Sequence, residues 1–363
     1  MSKYTKNIYS LILQAQSIES PAIIYSDEML RQNLVDLIED IKSARKNKVY
    51  LFYSIKACTY SKVIDVIAKY VEGFSVSSVN EYNIVKHYNK KTTGTGFEYK
   101  SDFINKLNTF YFNSLSQLKN YLCKQKRISN QKIGVRISAP TTLYLQKQDR
   151  KKSRFGININ DFDELNRLKD KYNLRIEHLL IHQENKVLND NKNLKKFLCE
   201  ILKMKAFNKV KTINLGGGWD NLFLNRAMGE FIDSLDIPQK YKVIVEPGSA
   251  VIRTIGILKT SVIDENIIDG VRKVVVNTSQ FNNSSWFVPQ VIASNTHKFR
   301  QRLDTEIYGD TCYEKDFFGI YKNSDIGMNS ELIMYPVGAY YYTTHRELHG
   351  LKFPREYYLK DES

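Results

Sequence analysis

The chain has 363 residues, 42% of them hydrophobic, with 54 Lys and Arg against 39 Asp and Glu, a formal net charge of +15. That length supplies one large domain and a smaller one with ample core. No stretch approaches the ~20 continuous apolar residues of a membrane span, and MSKYTKNIYSLILQAQ at the start lacks a signal-type apolar run with a small-residue cleavage site. Cys58, Cys123, Cys199 and Cys312 form no CxxC pair and no metal-ligand spacing, which points to a reducing cytoplasm and to no metal.

From residue 49 short β-rich runs alternate with amphipathic helical patterns. VYLFYSI (49–55) is a continuous apolar run, the mark of a strand buried on both faces. SKVIDVIAKYV (61–71) follows with a helical stripe, then GFSVS (73–77) as a strand and VNEYNIVKHY (79–88) as a helix. TGTGF (93–97), TFYFN (109–113), KIGVRIS (132–138), IEHLLIH (176–182), TINLG (212–216) and YKVIVE (241–246) continue the series to eight strands. Eight such repeats fit a (β/α)8 TIM barrel over 22–250, with a doubly wound sheet as the alternative. After residue 250 the texture turns β-rich with few helical stripes, as in GVRKVVVNTSQF and SELIMYPVGAYYY. That reads as a mostly antiparallel C-terminal domain over 251–363, to which 1–21 contribute.

Function in a barrel gathers at the C-terminal strand ends. Lys56 follows the first strand, Arg136 lies near the end of the fifth and His182 ends the sixth. Gly216, Gly217 and Gly218 end the seventh, and Glu246-Pro247-Gly248 ends the eighth. All five positions converge on one mouth. Loops after strands seven and eight commonly seat phosphate in such barrels, so the glycine triplet reads as an anion cradle of bare main-chain N–H groups. Lys56 closes an apolar strand, where partial desolvation would lower its pKa and suit Schiff-base chemistry. A solvated surface lysine, a satisfied core histidine and a Glu246–lysine pair are the plain alternatives.

The charge raises nucleic acid as a partner. The lysines are, however, spread along the chain, and the longest basic concentration, KQDRKKSR at 147–154, is short. The reading is therefore a small-molecule substrate, with neither nucleic acid nor membrane as partner. An anionic substrate suits the charge.

Taken in order, YSIKA, SVSSVNE, HQEN, LGGG, EPG, TC…D and GAY resemble the fold-type III pyridoxal-phosphate decarboxylases, which join an alanine-racemase-like barrel to a C-terminal β domain. FNSLSQL, SRFGI and YGDTCYEKDFFG resemble the carboxynorspermidine (carboxyspermidine) decarboxylase branch. The resemblance runs over 20–355. It implies pyridoxal 5'-phosphate held covalently by Lys56, with His182 stacked on its ring and Glu246 accepting the pyridine N–H. Gly216, Gly217, Gly218, Gly248, Arg136 and Tyr340 complete the cofactor seat. It implies a homodimer with shared sites, in which Cys312, as proton donor, together with Tyr313 and Asp316 reaches the neighbouring subunit's centre.

Two departures bear on substrate. Ser249 stands after EPG where ornithine and diaminopimelate decarboxylases carry arginine, and Tyr313 stands where they carry an acid. Ornithine, lysine and diaminopimelate are therefore disfavoured. What stays open is a carboxynorspermidine-type polyamine precursor, or a diamino-acid group on a larger scaffold in siderophore or antibiotic biosynthesis. A racemase would need a tyrosine base in place of TC…D, and a non-catalytic relative would have lost Lys56 or its neighbours.

Overall fold

The computed structural model describes residues 3–98, 100–125, 133–138, 154–283, 286–295 and 301–360. All but the last residue of the basic run at 147–154 lies outside them. The chain separates into two compact units. A barrel unit spans Leu34–Lys56 and Asp65–Ala250, and a β unit spans Met1–Asn33, Ala57–Ile64 and Val251–Ser363.

Counting strands from the N-terminus, β1 is Ala22–Ser26, and the barrel is built from the next eight. These are β2 (Val49–Ser54), β3 (Gly73–Val76), β4 (Lys91–Thr95), β5 (Thr109–Phe112), β6 (Ile133–Ile137), β7 (His178–Ile181), β8 (Thr212–Asn214) and β9 (Lys242–Val245). They pair in parallel and in chain order, and β9 closes on β2 through Val49↔Val243, Tyr50↔Ile244 and Leu51↔Val245. β3, β5 and β8 are buried throughout, as strands covered by barrel filling on one side and helices on the other must be. That settles the barrel against the doubly wound sheet.

Local signals set the helix starts. Ser114 Oγ accepts from the Gln117 N–H at 3.2 Å, and Gln117 Oε1 accepts from the Asn113 N–H at 2.9 Å, ahead of the helix Leu115–Leu122. This is a capping box shifted by one residue at its outer bond, and such caps are worth about 1 kcal/mol. Ser78 and Glu81 repeat the device before Val79–Val85.

The β unit contains β10 (Gly256–Ile268), β11 (Val271–Val276), β12 (Gln290–Asn295), β13 (Leu303–Tyr308), β14 (Phe317–Ser324), β15 (Glu331–Tyr335) and β16 (Arg355–Leu359), together with β1. Their order is β12-β15-β10-β11-β13-β14, mostly antiparallel, with β11–β13 and β1–β16 parallel. The sequence places β1 in the barrel segment, and the structure corrects this. Ala22–Ser26 pairs antiparallel with β10 and parallel with β16, so its backbone groups are consumed in the β unit.

Candidate active site

At the C-terminal end of the barrel, Glu246 follows β9 directly and is 6% exposed. Its Oε1 accepts from Thr93 Oγ1 on β4 at 3.1 Å and from Asn214 Nδ2 on β8 at 2.7 Å. Among the described residues, Oε2 accepts no hydrogen bond. A buried carboxylate is costly unless its oxygens find donors, and here both side-chain donors serve Oε1, which leaves Oε2 able to accept from a ligand. Thr93 and Asn214 lie within the predicted strand segments but went unassigned. Thr93 does not stand out in β4, which is polar along most of its length, and the role of Asn214 in the short strand β8 shows only in its hydrogen bonds.

Asn214 also links the carboxylate to the glycine loop, since its Oδ1 accepts from the Gly216 N–H at 2.8 Å. Gly216 has φ +66°, and a Cβ there would lie 2.6 Å from His182 Nδ1; Gly218 has φ +82°, and a Cβ there would lie 2.6 Å from the Gln183 carbonyl. Both positions therefore need glycine for conformation and for space. Gly248 is buried in the turn after Glu246, and Ser249 Oγ donates to Asp220 Oδ2 at 2.7 Å.

His182 is half-buried one residue past β7, and its Nδ1 accepts from the Gly217 N–H at 3.2 Å. That bond leaves the ring proton on Nε2. Burial, reinforced by the positive charges of Lys186, Arg136 and Lys56, holds its pKa well below the usual imidazole range. The ring is accordingly neutral at physiological pH. Arg136 is half-buried on β6, 4.5 Å over the Phe155 ring. The sequence-predicted Lys56, Arg136, His182, glycine loop and Glu246 thus share one end of the barrel.

Lys56 itself departs from expectation. It sits in the single 3-10 turn Ile55–Ala57 after β2, and its side chain is exposed rather than desolvated. The apolar run ends at Ile55, and the turn carries the next side chain out of it. Its charge still bears on both His182 and Glu81. Burial holds the Glu81 carboxyl above its ordinary pKa, against the Ser77 N–H bond and the Lys56 charge that pull it down.

A lysine that the sequence reading did not single out lies beneath the glycine loop. Lys186 is fully buried, its Nζ donates to the carbonyls of Gln183 (2.9 Å) and Gly217, and its ammonium stands 4.6 Å over the Trp219 ring. Burial pushes its pKa down to about 7, with Glu246 acting in the opposite sense.

The remaining predicted residues are in the β unit. Cys312 and Tyr313 are exposed, and Tyr313 meets Phe281 edge-on with ring centroids 5.0 Å apart. The Arg346 guanidinium lies 4.5 Å from the same Phe281 ring. Asp316 was expected to reach a ligand, but it is 1% exposed. Its Oδ1 accepts from the Gln280 N–H at 2.8 Å, and its Oδ2 accepts from Thr311 Oγ1 at 2.6 Å. It braces the loop that presents Cys312 and Tyr313. Tyr340 is held at φ +63°, its N–H donates to the Ala57 carbonyl at 2.7 Å, and its ring lies 4.3 Å from that of Trp286. A non-glycine residue in that conformation is strained, and such strain clusters at functional positions.

Residues 31–253 match the family model described as pyridoxal-dependent decarboxylase, pyridoxal binding domain. The chain is 26% identical over 280 residues to a carboxynorspermidine/carboxyspermidine decarboxylase of Campylobacter jejuni, covering 72% of this chain and 68% of that one. It is 23% identical to a Staphylococcus aureus 2-[(L-alanin-3-ylcarbamoyl)methyl]-2-hydroxybutanedioate decarboxylase, covering 96% of each. In fold it is similar to the arginine decarboxylase of Paramecium bursaria Chlorella virus, with a TM-score of 0.80 at 16% identity over 97% of this chain and 99% of that one.

Proposed function

The chain belongs to the pyridoxal-dependent decarboxylases, and on that premise we propose that it removes the α-carboxylate of an amino-acid-like substrate whose far end carries acidic groups. The barrel mouth fits pyridoxal phosphate on three counts. Glu246 Oε2 is a partly buried acceptor with no donor of its own, suited to a pyridine N–H. The glycine loop has no Cβ to block an anion, and among the described residues the Gly218 and Trp219 N–H groups have no acceptor. Lys56 offers an accessible primary amine at the same end of the barrel.

When bound, the cofactor supplies an electron sink for the pair released as CO2 leaves. The protein's part is placement and charge. Lys56 is the covalent anchor for the cofactor aldehyde. Glu246 keeps the ring nitrogen protonated by offering a negative oxygen, while Thr93 and Asn214 fix that oxygen's partner in place. Neutral His182, at the same end of the barrel, would lie beside the cofactor without adding a positive charge there. Cys312, exposed on the β unit, delivers the proton that replaces the carboxylate, in the site of a second copy of the chain.

The observation that carries the substrate reading is the surface beside Cys312. Tyr313, Phe281 and Arg346 form an aromatic–guanidinium face, which recognises carboxylates rather than ammonium groups. The formal charge of +15 acts in the same direction. The Staphylococcus aureus relative is named for a dicarboxylate joined to an alanin-3-yl group. A second reading, a polyamine precursor, is favoured by the identity to the Campylobacter jejuni relative and by the exposed Glu314 in the same loop. CO2 release from carboxynorspermidine and from a diaminopropionate amide of a tricarboxylic acid, compared by kcat/KM, tests the proposal. A preference of at least tenfold for the acid-bearing substrate, reduced in R346A, is expected; a preference for carboxynorspermidine contradicts it.

A further inference from the structure

Among the described residues, Lys186 is a fully buried cation at the barrel mouth to which the proposed function gives no task. Taking an ammonium out of water is costly unless something charged repays it. The groups that touch it are neutral: the carbonyls of Gln183 and Gly217, and the face of the Trp219 indole. Around His182 the positive charges of Lys186, Arg136 and Lys56 act together, and Glu246 is the negative group that bears on Lys186. The barrel mouth is thus arranged for an incoming anion.

The hydrogen bonds show where that anion goes. All three carbonyls of the glycine triplet are taken. Gly216 O accepts from Trp219 Nε1 at 2.6 Å and from the Glu246 N–H at 2.9 Å. Gly217 O accepts from Lys186 Nζ, and Gly218 O accepts from the Lys186 N–H at 2.9 Å. In a trans peptide the carbonyl of one residue and the N–H of the next point in opposite directions. Holding the Gly217 and Gly218 carbonyls on the buried side therefore turns the N–H groups of Gly218 and Trp219 away from it. Among the described residues these two N–H groups have no acceptor.

We infer that Lys186 is a positioning residue for the cofactor phosphate: its Nζ pins the Gly217 carbonyl from beneath and, in its protonated form, sets a positive charge behind the N–H groups that face the anion. This rests on the phosphate seat proposed above. Through-loop action of this kind needs no direct contact between ammonium and phosphate, because a buried charge is little screened. A methionine of similar volume would fill the space and keep the main-chain bond to Gly218, but it would supply neither the Nζ bonds to Gln183 and Gly217 nor the charge.

The test is equilibrium binding to the apoprotein, measured by quenching of Trp fluorescence, for pyridoxal phosphate and for pyridoxal, which lacks the phosphate. K186M is expected to weaken pyridoxal phosphate at least tenfold while leaving pyridoxal within about twofold of the wild type. K186Q, which keeps a donor for the carbonyls but no charge, should fall between the two. Pyridoxal binding reports that each variant is folded, and if K186M does not fold, K186Q carries the same comparison. Unchanged pyridoxal phosphate affinity in a folded variant overturns the inference, as does equal weakening of both ligands. If the wild type itself does not distinguish the two ligands, the phosphate seat fails and the inference fails with it.

Discussion

Glu246 illustrates how a single side chain is prepared for one partner. Thr93 and Asn214 both donate to Oε1, so the carboxylate cannot rotate to present that oxygen elsewhere, and Oε2 is left for the ring nitrogen. In E246Q the amide oxygen still accepts from both donors, and the NH2 group is then turned toward a pyridine nitrogen that needs an acceptor. Losing one such electrostatic contact in a dry site costs roughly 10²–10³-fold in kcat. E246Q is therefore expected to bind cofactor, to melt near the wild-type temperature and to turn over two to three orders of magnitude more slowly in steady-state assays. Near-wild-type turnover would show that the ring nitrogen is not served by Glu246. Residues of this sort were legible in sequence because each directly follows a strand. Thr93, Asn214 and Lys186 were not, because their roles depend on hydrogen bonds between loops and strands far apart in the chain. Asp316 was legible as part of its loop, but its burial and its bonds to Gln280 and Thr311, which brace that loop, were not.

Among elements, barrel strands such as β2, VYLFYS, could be read from the chain because a strand covered on both faces shows an unbroken apolar run, which β4, KTTGT, does not. β4 begins at Lys91 and ends at Thr95, two residues before the expected segment, and Gly96 at φ +140° marks its end. β1 carries an equally apolar run, AIIYS, and nothing local says which sheet receives it. Its partners are β10 and β16, more than two hundred residues away. Register with distant strands is decided by pairing, which a single sequence does not encode locally. The caps at Ser78 and Ser114 are the opposite case, since each lies wholly within a few residues. The element that matters most for chemistry is the 3-10 turn Ile55–Ala57. It converts the end of a buried strand into an exposed lysine, and the desolvation argument drawn from the strand pattern fails there.

At the scale of the whole molecule, the proposed division of labour puts Lys56 in one copy and Cys312 in another. Mixing inactive K56A with inactive C312A then restores about a quarter of wild-type CO2 release, because half of the randomly formed dimers carry one intact site. No recovery on mixing would place Lys56 and Cys312 in the same subunit's site. The formal net charge of +15 suits the acidic substrate proposed above, and among the described residues no helix is long and apolar enough to cross a membrane. The account stands or falls on which lysine carries the cofactor, since among the described residues two lie at the same end of the barrel: accessible Lys56 and buried Lys186, whose pKa of about 7 also suits a nucleophile. Borohydride reduction of the pyridoxal phosphate-loaded protein, followed by peptide mass mapping, separates them. The account predicts the added mass on the peptide containing Lys56 and none on Lys186. Label on Lys186, or no label on either, would contradict it.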